Sequence, residues 1–144
     1  MEGADMEATH RRLDQERAEF AREAVHKAHQ ELGSAFKEYA KLAKKFPALL
    51  MRNGLGTAYV FLKSKSKGRK GRNAHTLLAE NLSEWLCRRC RYSPYRGKSD
   101  LLEAVTRSSS TDYLWAAREA LAMLHWLRLL ASAEEEEEVA GGKT

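Results

Sequence analysis

Residues 34–52, SAFKEYAKLAKKFPALLMR, sort their side chains by chemistry around a helix. With Lys41 set at zero and about 100° per residue, Lys37, Lys44, Lys45 and Arg52 fall within about 60° of it. Phe36, Tyr39, Ala43, Phe46 and Leu50 gather around the opposite pole. One side suits a core and the other is cationic, so the segment predicts an amphipathic helix on a bundle. Pro47 removes a backbone donor and clashes with the preceding turn, which predicts a kink or a division into two. Asn53-Gly54 supplies a left-handed stop.

The flanking sequence is helical in both directions. Upstream, residues 5–32 read as one long charged helix with a thin apolar seam of Leu13, Phe20, Ala24, Ala28 and Leu32, ended by Gly33. So thin a seam predicts a helix lying across the bundle or partly free for a neighbouring subunit. Downstream, Leu55 to Ser66 is a short helix almost surrounded by Leu55, Ala58, Tyr59, Phe61 and Leu62, and belongs in the centre of the core. From Ala74 to Arg91, Leu78, Leu82, Trp85 and Leu86 follow an i, i+4, i+7, i+8 pattern. Ser99 is placed to cap a short helix over residues 100–107. Residues 112–133 form the expected spine, with Leu114, Ala117, Leu121, Leu124, Leu127 and Leu130 on one stripe. The architecture expected is all-α: a compact single-domain helical bundle of about five to six helices over residues 1–133, with 134–144 an acidic flexible tail that frays.

Composition agrees with that reading. In 144 residues, 43% hydrophobic and 31% charged content excludes a disordered chain, and only 2 prolines interrupt the helix formers. The longest uncharged apolar run, Leu55–Leu62, is too short to span a membrane, and the N-terminus has no signal-peptide core. A cytoplasmic protein is expected, and two cysteines fit a reducing compartment. The net charge of +5 hides an asymmetry: residues 1–133 carry 24 Lys and Arg against 15 Asp and Glu. A body that basic suits a polyanionic partner. Its densest stretch is Lys63–Arg72, where six of ten residues are cationic and the others are Ser or Gly, a flexible basic loop.

Catalytic chemistry is missing. Cys87 and Cys90 share a helix face, but a structural zinc needs four ligands and no second pair has suitable spacing. His10, His26, His29, His75 and His125 are scattered without triad partners, and Gly54-Leu55-Gly56 lacks the Lys-Ser/Thr of a phosphate loop. No catalytic residue, metal ligand or cofactor is assigned, which leaves a binding or scaffolding role.

Three blocks carry a family resemblance. The stretch EYAKLAKKFPALLMRNGLGTAYVFLKSK, Glu38 to Lys65, resembles the small-subunit family of the Cmr (type III-B CRISPR) RNA-silencing effector complex. The matching positions are Tyr39, Leu42, Ala43, Lys44, Lys45, Pro47, Leu49, Asn53, Gly54, Leu55 and Gly56. HTLLAENLSEWL, from His75, is similar to the family's middle helix, and LWAAREALAMLHWLRLLASA, from Leu114, to its closing helix. The resemblance implies a non-catalytic subunit, stacked in copies with other Cmr subunits and positioning crRNA and target RNA for silencing of invading nucleic acid.

Phosphate contacts are assigned to Lys41, Lys44, Lys45 and Arg52 on the sorted face and to Lys63, Lys65, Lys67, Arg69 and Lys70 in the basic loop. Arg118 and Arg128 on the last helix are secondary candidates, because helix-surface ion pairs would equally explain them. The alternative is a protein-interaction module whose basic face meets acidic partner subunits with little RNA contact.

Overall fold

The computed structural model describes residues 2–66 and 71–142. The described residues form six α-helices and no β-strand: α1 (Glu2–Leu32), α2 (Phe36–Asn53), α3 (Leu55–Lys65), α4 (Ala74–Glu84), α5 (Leu101–Arg107) and α6 (Ser110–Gly142). A short 3-10 turn, Gly33–Ala35, joins α1 to α2, and a π-helical segment, Trp85–Arg89, prolongs α4.

The two long helices form the frame. Arg17 of α1 meets Glu119 of α6, and twelve residues further on His29 meets Glu134, so α1 and α6 run in the same direction. The α1 seam is packed on its own domain: Leu13, Phe20, Ala21, Ala24, Val25 and Ala28 are buried. α2 returns antiparallel to both. Its first residue, Phe36, lies against His29, and the turn after its last residue meets Tyr113 near the start of α6. α3 is less central than its sequence suggests: Leu55, Ala58 and Leu62 are fully buried, but Thr57 is exposed, Val60 is 45% exposed and Phe61 is only partly buried, so one side of the helix faces outward.

Several local features differ from the sequence expectation. α2 runs unbroken through Pro47, because Ala43, Phe46 and Leu50 on either side are locked into one core. Asp100, not Ser99, caps α5: its carboxylate accepts the Leu102 N–H at 3.0 Å. The helix expected over residues 112–133 begins at Ser110 and continues through the glutamate run to Gly142. Its buried stripe is Ala116, Ala120, Met123, Leu124, Leu127 and Ala131, while Leu114 is 51% exposed. The stripe is rotated because α6 is covered by α1 on one side and α2 on another.

The stop expected at Asn53-Gly54 agrees. α2 stops at Gly54 (φ 88°), whose N–H donates to the Leu50 carbonyl at 2.8 Å. α4 opens on a reciprocal cap: Asn73 Oδ1 accepts the Thr76 N–H at 3.0 Å, and Thr76 Oγ1 accepts the Asn73 N–H at 3.2 Å.

Candidate nucleic-acid interface

The sorting of α2 survives folding. Phe36, Tyr39, Ala40, Leu42, Ala43, Phe46 and Leu50 are buried, and Lys37, Lys41, Lys44, Lys45 and Arg52 are exposed. The inward side is fixed by more than apolar packing. Tyr39, whose burial pushes its phenol well above the ordinary value, donates to Asn81 Oδ1 of α4 at 2.5 Å. That bond sets the rotation of α2, and with it the direction in which the lysines project.

Lys63 and Lys65 on the last turn of α3 are also exposed. Burial lowers the His75 pKa, and the positive charges of Lys45 and Lys65 lower it further, against a smaller opposing pull from Glu38. One imidazole at the start of α4 thus senses a cation from α2 and a cation from α3. Lys45 of the sorted face and Lys65 at the start of the basic loop therefore both lie near the entry of α4. Lys67, Arg69 and Lys70 lie outside the described residues.

The far end of the loop is anchored. Arg72 donates to Glu31 Oε1 at 2.6 Å and to both oxygens of Glu80 at 2.6 and 2.7 Å, tying the entry of α4 to the end of α1. These carboxylates raise the Arg72 pKa. Lys37, Lys41, Lys44, Lys45, Arg52, Lys63 and Lys65, by contrast, have no ion pair among the described residues. Glu38 is the one carboxylate on the same side of α2, and it makes no ion pair with them among those residues.

Arg118 and Arg128 do not join this surface as a pair. Ten residues separate them, about 15 Å along the axis and about 80° around it. Arg118 is exposed and lines a shallow groove between α1 and α6 with Leu13, Arg17 and Trp115; Arg128 is half-buried. Neither has an ion pair among the described residues.

Sequence reasoning missed the polar centre of the molecule. Arg17 and Glu119, 9% and 4% exposed, form a two-pronged pair at 2.7 Å, and Trp85 Nε1 donates to Glu119 Oε2 at 3.0 Å. Asp14 continues the network, accepting from Arg17 Nη1 at 3.2 Å and from Trp126 Nε1 at 3.0 Å. The bond to Trp126 holds the Asp14 carboxyl below its ordinary pKa. The available signal was one charged residue, Arg17, standing on the apolar seam of α1 between Leu13 and Phe20.

Cys87 and Cys90 are free and buried, and burial raises both thiols, Cys90 to about 11. Among the described residues no group of three His, Cys, Asp or Glu is arranged to hold a metal ion, and no helix is long and apolar enough to cross a membrane.

The described residues define a small all-helical protein in which Lys37, Lys41, Lys44, Lys45 and Arg52 of α2 are exposed and make no ion pair with any of those residues. Residues 13–134 match the family model described as CRISPR-associated protein (Cas_Cmr5). A crystal structure of a CRISPR-associated Cmr5 family protein from Thermus thermophilus is similar, with a TM-score of 0.66 and 31% sequence identity over 84% of this chain and 95% of that one. The chain belongs to the Cmr5 family, the small subunits of the type III-B CRISPR Cmr complex. Membership implies association with other Cmr subunits.

Proposed function

We propose that the chain is a non-catalytic, cytoplasmic subunit that stacks in copies within the effector and holds crRNA and target RNA against its basic face. Lys41, Lys44, Lys45 and Arg52 of α2, with Lys63, Lys65 and the loop residues Lys67, Arg69 and Lys70, neutralise phosphates and release counterions. Affinity then comes without sequence readout, and guide-to-target pairing carries specificity. Arg118 and Arg128 act as outlying contacts.

One observation supports this reading above the others. Arg17, Arg72, Arg89 and Arg91 each hold a carboxylate of the chain, whereas the α2 cations hold none among the described residues. Like charges crowded on one helix face repel one another, and an anionic strand lying along them removes that cost. Met51, 74% exposed at the edge of this face, favours a second reading in which the face meets an acidic partner subunit.

Reconstitution with the remaining Cmr subunits distinguishes the two. Guide and target RNAs carrying photoreactive uridines are predicted to crosslink to peptides spanning residues 37–52 and 63–70. If those peptides crosslink only to protein, the acidic-partner reading replaces this one.

A further inference from the structure

A second cationic surface lies at the other end of α4, in a segment the RNA-holding role above does not use. From Arg88 to Lys98 the chain carries Arg88, Arg89, Arg91, Arg96 and Lys98 and no acidic residue. The segment is firmly built. The Cys90 N–H donates to the Trp85 carbonyl and the Gly97 N–H to the Cys87 carbonyl, both at 2.8 Å, and the Lys98 N–H donates to the Tyr95 carbonyl at 3.0 Å. Cys90, Ser93 and Tyr95 point inward and are buried, and the Tyr95 hydroxyl lies 2.9 Å from Ser108 Oγ.

Two of the five cations serve the fold. Arg89 lies over the Phe20 ring, 5.3 Å from its centroid, and pairs with Glu23 at 3.1 Å, while Arg91 pairs with Glu16. The remaining three do little for it. Arg88 comes only within 3.9 Å of Glu84, Arg96 makes one long 3.4 Å bond to the Arg91 carbonyl, and Lys98 has no ion pair among the described residues. Between Arg88 and Arg96 in sequence, and close enough to Arg91 to act on its charge, stands Tyr92, 52% exposed, an aromatic ring that the core does not use.

We propose that this loop is a second nucleic-acid contact, selective for an unpaired strand, in which the Tyr92 ring stacks on a base while Arg88, Arg96 and Lys98 take the flanking phosphates. An exposed ring among guanidinium groups offers both attractions a single strand needs, charge for the backbone and a flat surface for a base. A duplex offers only the first, because its base faces are already stacked. An acidic protein surface would satisfy the cations and leave the ring without a role. A loop held on buried anchors also presents the ring at little ordering cost.

The proposal stands apart from the α2 face. From His75, beside Lys45 and Lys65, to Arg88 the helix advances thirteen residues, about 20 Å, so each surface can be altered alone. The test is binding of the full chain to a labelled oligouridine RNA, single-stranded or annealed to oligoadenine, by fluorescence anisotropy. Tyr92→Leu should weaken single-strand binding about fivefold or more with an unchanged salt slope and leave duplex binding alone, while Tyr92→Phe behaves as the parent. Arg96→Gln with Lys98→Gln should make the salt slope about one unit shallower. The proposal is overturned if Tyr92→Leu binds single strands like the parent, or if it loses single strand and duplex equally. Normal RNA binding by all three variants together with failure to co-purify with other Cmr subunits would reassign the loop to a protein partner.

Discussion

The Tyr113 hydroxyl accepts the Leu55 backbone N–H at 2.8 Å and lies 2.6 Å from where a Cβ on Gly54 would stand. The N-terminus of α3 has no side-chain cap of its own, since the capping position is a glycine, and α6 supplies the missing acceptor from 58 residues away. Gly54 adopts φ 88° and ψ 162°, a region essentially reserved for glycine. The same residue ends α2, so the rim of the cationic face depends on this contact.

Gly54→Ala should therefore destabilise the protein by about 2 kcal/mol, from backbone strain and the crowded hydroxyl together. Tyr113→Phe should cost about 1 kcal/mol, the worth of one hydrogen bond. Urea denaturation of the double variant should show less than the sum, because removing the hydroxyl relieves the crowding and leaves only the strain.

The Arg17–Glu119 pair gives a second prediction. Glu119→Gln retains an acceptor for Trp85 Nε1 but leaves the buried Arg17 guanidinium with only the half-exposed Asp14 as counter-charge, and should cost about 3 kcal/mol. Arg17→Met in the Glu119→Gln background should recover most of the loss, because no buried uncompensated charge remains and Asp14, half exposed, keeps its bond to Trp126 Nε1. A double-mutant cycle in urea measures the coupling directly, and a coupling near zero would mean that the pair is solvated.

Much of this was legible in advance and some was not. The α2 face could be read because five cations gather on one side, with Glu38 and Ala48 among them, and the other side is apolar, and exposure follows the helical period. The α6 stripe could not. With Leu, Ala, Met and Trp almost all round the helix, periodicity does not reveal which side faces α1 and which faces α2. Arg17 and Glu119 look like ordinary surface charges until two residues 102 apart in sequence are brought together. The boundary placed at Ala133 erred because glutamate is a good helix former and the helix is already nucleated, while the contacts beyond it come from His29 of α1.

That contact predicts a pH dependence. His29 Nδ1 lies 2.8 Å from Glu134 Oε1 and Nε2 lies 3.4 Å from Glu138 Oε2, and the bond to Glu134 is the main reason its pKa lies above the ordinary 6.5. A histidine raised on folding contributes stability fully below its unfolded pKa and loses it as pH rises through the folded value. Amide exchange over residues 134–142, corrected for intrinsic base catalysis, should quicken as pH rises above neutrality. In His29→Gln that step should vanish.

The buried thiols predict inertness. With both raised by burial, Cys87 and Cys90 should react with iodoacetamide far more slowly in the native protein than in urea. Rapid native alkylation of either would show that the end of α4 opens readily.

The cationic face of α2 is tested most directly by a salt titration of RNA binding with Lys41, Lys44 and Lys45 all changed to Gln. If the three ammonium groups meet phosphates, the log-log slope for a single-stranded guide RNA should become about two units shallower, with affinity at low salt falling in parallel. Unchanged affinity and slope in a folded triple variant would contradict the account.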